Sequence, residues 1–173
     1  MFTQGNNRTI SNEIVGVIDD RRFRIFSYQF FIGFGKSRKA YRYTVFAFEF
    51  KGSFPNIYLN NKKNSRNINV GENINLPDEF EKEFTLSAPR KYEVDALEIF
   101  TPDVLAKLLD GNFPHDVEFI GNNVYIFMDG QIGTYEQLEK EFSLALDLED
   151  LLDEKLDRFR LQPVGDMPHT LTQ

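Results

Sequence analysis

The sequence contains no cysteine, no tryptophan and no long apolar run. Without cysteine the chain can form no disulfide bond, no thiolate metal site and no cysteine nucleophile. No stretch reaches the roughly 18 apolar residues that a membrane-spanning helix needs, and the first residues lack the apolar core of a secretory signal. We therefore expect a cytoplasmic protein, with a peripheral or tethered position at a membrane as the alternative.

Phenylalanine, by contrast, is abundant, with 18 Phe and 7 Tyr among 173 residues. A chain of this length suits one domain. So many rings predict a core of aromatic side chains packed between β-surfaces.

Charge is divided along the chain. Residues 1–70 hold 12 Lys and Arg against 4 Asp and Glu, whereas residues 71–173 hold 8 against 23. The division indicates either two solvated faces of one domain or a basic sheet surface that meets an anionic partner. Nucleic acid is not favoured as a partner, because the whole chain has a net charge of −7.

Alternating residues predict an antiparallel sheet in the first half of the chain. The clearest strand covers residues 40–50, where side chains alternate between two faces: Tyr41, Tyr43 and Val45 on one, and Thr44, Phe46, Phe48 and Phe50 on the other. Further strands are predicted over residues 12–18, 23–34, 56–59 and 84–87, with a brief strand around Ile68 and Val70 in an asparagine-rich loop.

Capping and turn residues predict the helices and strands between residues 92 and 128. Residues 92–100 are predicted to form one or two helical turns with Val94, Leu97 and Ile99 facing inward. A second helix has Thr101 as its N-cap, Pro102 in its first turn and Gly111 just past its end. Two short strands, 117–120 and 124–128, then flank Gly121-Asn122-Asn123 in the pattern of a β-hairpin.

A long amphipathic helix follows. Thr134 and Gln137 match a capping box, and apolar residues then recur every three or four positions from Leu138 to Phe159. We expect this helix to cover the aromatic face of the sheet. Residues 161–173 contain two prolines and a glycine and are predicted to be a disordered tail.

The element order indicates an α+β fold over a single domain, residues 10–160. It predicts an antiparallel sheet or partly open barrel of about seven strands, with an inserted helix pair and a long C-terminal amphipathic helix. A pleckstrin-homology-like barrel has this order, and a two-layer α+β sandwich is the alternative.

The stretch from Leu76 to Gly130 resembles a group of uncharacterised bacterial proteins, a domain of unknown function whose members often carry N-terminal membrane-spanning segments. The resemblance lies in the acidic-aromatic run from Asp78 to Phe84, in the pair Thr101-Pro102 within EVDALEIFTPDVLAKLLD, and in the hairpin-like segment from Val117 to Met128. It implies an association with a bacterial membrane and no particular chemistry. This chain departs from the group in having no membrane segment before Asn12.

Three motifs suggest chemistry, and each has a simpler interpretation. Gly33-Phe34-Gly35-Lys36-Ser37 resembles the end of a phosphate-binding loop, but Phe30 replaces the required glycine and a strand follows, so a hairpin turn is expected. His115, near Asp116 and Glu118, is expected in a surface or capping role. Acidic residues along the last helix indicate a solvated face: Glu136, Glu139, Glu141, Asp147, Glu149, Asp150, Asp153, Glu154 and Asp157.

Two basic loops are the candidate anion-binding residues: Lys36, Arg38, Lys39 and Arg42 in one, and Lys62, Lys63 and Arg66 in the other. If both loops lie at one end of the sheet, they form a basic rim that could attract an anionic membrane; charged turns that keep sheet edges apart are the alternative.

No arrangement of catalytic groups is found, and no metal or other cofactor is expected. We therefore expect a non-catalytic accessory or protein-interaction domain with a protein partner. The alternative is a module that recognises anionic lipid headgroups or other anions through the basic loops.

Overall fold

The computed structural model describes residues 1–64, 68 and 70–160, with side chains throughout that range except at 154 and 157–160. Within these residues the chain forms six strands and four α-helices, in the order β1 (Asn6–Ile18), β2 (Arg21–Ile32), β3 (Lys39–Asn61), β4 (Glu72–Ile74), α1 (Asp78–Glu81), β5 (Phe84–Ala88), α2 (Glu93–Ile99), α3 (Pro102–Asp110), β6 (Asp116–Asp129) and α4 (Tyr135–Arg160).

The 23-residue strand β3 is the centre of one antiparallel sheet. Its first half pairs with β2 on one side and β6 on the other, so that Val45 lies between Phe26 and Phe127. Its second half keeps β6 but exchanges β2 for β5, with Leu59 opposite Leu86. Strands β1 and β4 extend the sheet beyond β2 and β5.

The predicted α+β class with a long C-terminal helix is confirmed. The described residues form six strands rather than about seven, and the sheet stays open rather than closing into a barrel. The pair α2 and α3 lies between β5 and β6, as predicted. The pleckstrin-homology-like order stays a prediction.

Strands β3 and β6 are longer than the sequence pattern predicts. The predicted break before Pro55 is absent, because β3 continues through irregular pairing between Glu49 and Ile57. The predicted hairpin at Gly121 is wrong, since this glycine lies inside β6 opposite Phe54. Its φ of 62° lets β6 follow the irregular part of β3 without reversing direction. Part of the brief strand expected around Ile68 and Val70 lies outside the described residues, and the next described strand, β4, begins at Glu72.

The helices pack against one side of the sheet, here called the helix face. Ala145, Leu148 and Leu152 of α4 are buried there against rings from β3, including Phe46 and Phe48. Each buried leucine or phenylalanine contributes roughly 1.5–3 kcal/mol before the loss of chain entropy is subtracted. The amphipathic helix predicted to cover the sheet is therefore confirmed.

The predicted helix caps are confirmed in part, since Thr101 precedes α3 as its N-cap residue but its side chain makes no capping hydrogen bond. The Gln137 N–H donates to Thr134 Oγ1 at 3.2 Å, which confirms the cap of α4. On α2 the predicted inward position of Ile99 is confirmed, whereas Val94 and Leu97 are exposed and Ala96 is buried in their place. The predicted tail, residues 161–173, lies outside the described residues. Among the described helices, none has both the length and the apolar character to cross a membrane.

The opposite side of the sheet, here called the open face, receives no helix from the described residues. Its buried cluster consists of strand residues together with Met1 and Ile68, and Phe2 and Val70 pack against it. The strand residues are Phe26, Tyr28, Phe30, Tyr43, Val45, Ala47, Tyr58 and Phe127. Rings therefore lie on both faces of β3, as the alternating pattern predicts.

Candidate interaction surface

The ring of Phe2 is the centre of an aromatic cluster on the open face. Its centroid lies 4.8 Å from that of Tyr125, 5.1 Å from that of Tyr28 and 5.4 Å from that of Phe127. The Tyr125 and Tyr28 contacts are edge-to-face, an arrangement that aromatic pairs prefer. The first residues of the chain are thereby fixed across β2 and β6.

Two arginines border this cluster. Arg8 donates from Nη1 to the carbonyl oxygen of Phe2 at 2.8 Å, and this acceptor is neutral. Arg24 places its guanidinium 5.4 Å from the ring centroid of Phe26 and donates from Nε to Glu13 Oε1 at 2.7 Å. The border is therefore basic, with one of its two charges balanced by a carboxylate.

Strand β1 adds exposed apolar side chains to the same face. Ile10, Val15 and Val17 are 51%, 67% and 65% exposed. They lie opposite Tyr28, Arg24 and Arg22 on β2, so they share the open face with those residues. Ile14 is exposed on the helix face. An edge strand with this many exposed β-branched residues is unusual, because natural edges are normally protected by charge or by covering elements.

The rings, the arginines and Ile10 enclose a depression of about 350 Å³. We call this surface the aromatic–arginine patch and define it by its lining residues: Phe2, Arg8, Ile10, Arg24, Phe26, Tyr28 and Tyr125. Burial raises the pKa of Tyr28 and of Tyr125, while the neighbouring arginines act in the opposite direction. Both hydroxyls therefore stay protonated near neutral pH.

The lining side chains define what the patch offers a ligand. It offers fixed rings, hydroxyl groups and guanidinium donors, and none of its side chains is a carboxylate, imidazole or thiol. Among the described residues, no group of three or more His, Asp or Glu is placed to hold a metal ion.

A second concavity lies between α3 and α4 on the helix side. Its volume is about 460 Å³, and its walls combine Leu108, Phe113, Leu144 and Leu151 with charged groups such as Lys107. Leu108 and Phe113 belong to the main core, so the groove is a shallow gap above packed side chains.

The structure places the predicted basic loops at opposite ends of β3. Lys36 and Arg38 lie in the turn before it, Lys39 is its first residue, and Lys62 and Lys63 follow its last residue. Lys62 contacts the carbonyl of Glu81, and Lys63 pairs with Glu83 at 2.8 Å. A single basic rim would require both loops to lie at one end of the sheet, and they do not.

The remaining predicted anion-binding residues are separated in the same way. Arg42 lies on β3, where it donates from Nε to Gln29 Oε1 at 2.8 Å. Arg66 lies outside the described residues. Anion binding by these loops stays a prediction.

His115 is buried instead of lying at the surface. Its Nε2 is 2.8 Å from Glu141 Oε2 on α4, and its ring packs edge-to-face on Phe113. Burial lowers the pKa of His115, although Glu141 acts in the opposite direction. The pair joins the start of β6 to α4, and a tertiary contact of this kind leaves no local sequence pattern.

The acidic face of α4 is likewise less uniform than predicted. Glu141 turns toward His115, and Glu149 is buried against Arg21. Burial raises the pKa of Glu149 to about 7, since the nearby Arg21 offsets only part of that effect. Arg21 also donates to Asp150 at 2.8 Å, so the β1–β2 turn is tied to the middle of α4.

The patch was not predicted, because the pattern places the first strand after Arg8 and Ile10. One signal in the sequence could have indicated it. Cations and rings occupy every second position of β2 and therefore lie on one face of that strand: Arg22, Arg24, Phe26 and Tyr28.

The chain matches no protein-family model, no curated protein and no solved structure. The resemblance of residues 76–130 to uncharacterised bacterial proteins stays an expectation.

Proposed function

We propose that the chain is a non-catalytic protein-interaction domain that binds a partner protein through the aromatic–arginine patch and the adjoining strand β1. The observation that carries the proposal is the exposure of Ile10, Val15 and Val17 beside fixed rings and arginines. Contiguous apolar surface with a polar border is typical of protein interfaces.

The composition of the patch supports a protein ligand. Tyrosine and arginine are enriched among residues that dominate binding free energy at protein interfaces. The rings of Phe2, Tyr28 and Tyr125 are already held by one another, so a partner would lose little free energy in ordering them.

The outer edge of β1 adds a second mode of contact. Beyond β2, the described residues provide no strand to pair with it. Its outward N–H and C=O groups could therefore pair with an extended segment of the partner, while Val15 and Val17 provide side-chain contacts. The resemblance of residues 76–130 adds the expectation that such binding occurs near a bacterial membrane.

Affinity capture with matched variants tests this proposal. We would immobilise the full chain, Ile10→Asp and Val94→Asp, and compare the proteins that each retains from an extract of the source cells. Val94 is the control because it is 66% exposed on α2, on the other side of the sheet. We expect a protein retained by the wild type and by Val94→Asp but lost with Ile10→Asp. Equal retention by all three would contradict the proposal.

A second candidate function is anion recognition at the β2–β3 turn. Lys36, Arg38 and Lys39 have no carboxylate within 4 Å among the described residues, whereas Lys63 is paired. This difference favours the turn over the loop after β3 as the anion-binding element. Charge reversal of the three turn residues should abolish binding to anionic vesicles, and unchanged binding would remove them from the site.

A further inference from the structure

We propose that the β2–β3 turn is a membrane contact that inserts the ring of Phe34 into the headgroup region of an anionic bilayer. The proposal rests on the second candidate function and specifies its ligand. Phe34 is 82% exposed at the tip of the turn, the largest exposure among the large apolar side chains described. Ile32, also exposed, lies two residues before it.

The turn holds Phe34 in a defined position. The carbonyl oxygen of Phe34 accepts hydrogen bonds from the Ser37 N–H at 3.1 Å and from Ser37 Oγ at 2.8 Å. Gly33 has a φ of 84°, and a Cβ there would approach the Ser37 carbonyl oxygen to 2.7 Å, so the turn needs glycine at this position. The exposed ring therefore projects from a closed turn.

Three cations lie in this turn and directly after it. Arg38 places its guanidinium 3.8 Å from the ring centroid of Phe31, and Lys39 has its ammonium 5.9 Å from that of Tyr41. Lys36 is exposed beside Phe34 in the same turn. In the strand register, Asp129 on β6 lies opposite Tyr43 of β3.

A bilayer would contact both the cations and the exposed ring of this turn, whereas a soluble anion would contact only the cations. Basic side chains near an anionic leaflet gain electrostatic attraction, and aromatic rings are favoured at the boundary between headgroups and acyl chains. A soluble phosphate would engage the cations and leave Phe34 in water. The exposed ring and the uncompensated charges thus together favour a bilayer.

The absence of tryptophan from the chain permits a direct test of insertion. Phe34→Trp introduces a single tryptophan at the tip, and Tyr135→Trp places one at a residue 73% exposed at the start of α4. Each variant would be titrated with phosphatidylcholine vesicles with and without phosphatidylserine, and with vesicles whose acyl chains are brominated.

We expect Phe34→Trp to show a blue-shifted emission with phosphatidylserine vesicles and quenching by brominated chains, and Tyr135→Trp to show neither. In co-sedimentation, Phe34→Ala should lower the partition coefficient about tenfold. Lys36→Gln should lower it about fivefold, with a loss that shrinks as salt is added.

Three results would overturn the proposal in distinguishable ways. If the protein co-sediments with phosphatidylserine vesicles but the emission of Phe34→Trp is not blue-shifted, the ring does not insert. Electrostatic anion recognition would then remain the function of the turn. Release of the protein by soluble glycerophosphoserine at matched concentration would assign the site to the headgroup alone. Failure of the wild type to bind any anionic vesicle or soluble anion would remove the second candidate function as well.

Discussion

The hydroxyl of Tyr58 on β3 donates to Asp116 Oδ2 on β6 at 3.0 Å, and both side chains are almost entirely shielded from water. The backbone N–H of Asn61 and the side-chain amide of Asn64 donate to the other carboxylate oxygen, each at 2.9 Å. One buried carboxylate therefore joins the end of β3 to the beginning of β6. Burial and the adjacent Asp116 both raise the pKa of Tyr58, so the hydroxyl keeps its proton.

Removal of this carboxylate should be costly. We predict that Asp116→Ala lowers the free energy of unfolding by about 2–4 kcal/mol, because several buried donors lose their acceptor. Tyr58→Phe removes one donor and should cost about 1 kcal/mol. Urea denaturation of both variants measures the difference, and a smaller effect for Asp116→Ala than for Tyr58→Phe would show that the carboxylate is not the organising group.

Local signals in the sequence predicted some of these elements and could not predict others. The alternating pattern correctly predicted that Tyr43 and Val45 lie on one face of β3 and Phe46 on the other. This was possible because side-chain direction in a strand depends only on local periodicity. The Thr134 cap was predictable for the same reason. By contrast, Gly121 has the local character of a turn, and only its pairing with Phe54 keeps β6 continuous.

Tertiary partners explain why parts of the site were also missed. Glu149 on the acidic helix is buried because Arg21, 128 residues earlier, lies against it. Glu141 likewise turns inward toward His115, 26 residues earlier. No helical periodicity distinguishes these two carboxylates from their solvated neighbours. The patch depends on Phe2 crossing two strands, a contact that local pattern does not contain.

The packing of α4 gives a second prediction. Leu152 is fully buried in the helix-face core, so Leu152→Ala should lower the free energy of unfolding by about 2–5 kcal/mol. Val94→Ala is the control at an exposed helical site and should change it by less than about 0.5 kcal/mol. Similar values for the two variants in chemical denaturation would mean that α4 does not cover the sheet as described.

The raised pKa of Glu149 predicts a specific pH dependence. Because the folded protein binds this proton more tightly than the unfolded chain does, the carboxyl contributes stability below about pH 4.5 that is lost as pH rises to about 7. Glu149→Gln should therefore match the wild type at low pH and be more stable above pH 7. Denaturation midpoints across this window measure the difference. A variant less stable than the wild type at pH 8 would show that the pair with Arg21 outweighs the cost of burial.

His115 should show the opposite dependence. Its pKa is lowered by burial, so the unfolded chain binds this proton more tightly and stability from this group rises with pH up to about 6.5. In NMR spectra the His115 ring should titrate below the ordinary range for histidine. A titration above that range would mean that the Glu141 carboxylate, 2.8 Å away, dominates instead.

Site-specific photo-crosslinking in the source cells tests most directly whether the aromatic–arginine patch is a protein-binding surface. A benzophenone side chain would replace Ile10 in the patch or, as the control, the comparably exposed Val94 on α2. We predict a discrete adduct with one other protein from position 10 and none from position 94. The same adducts from both positions, or none from position 10, would contradict the account.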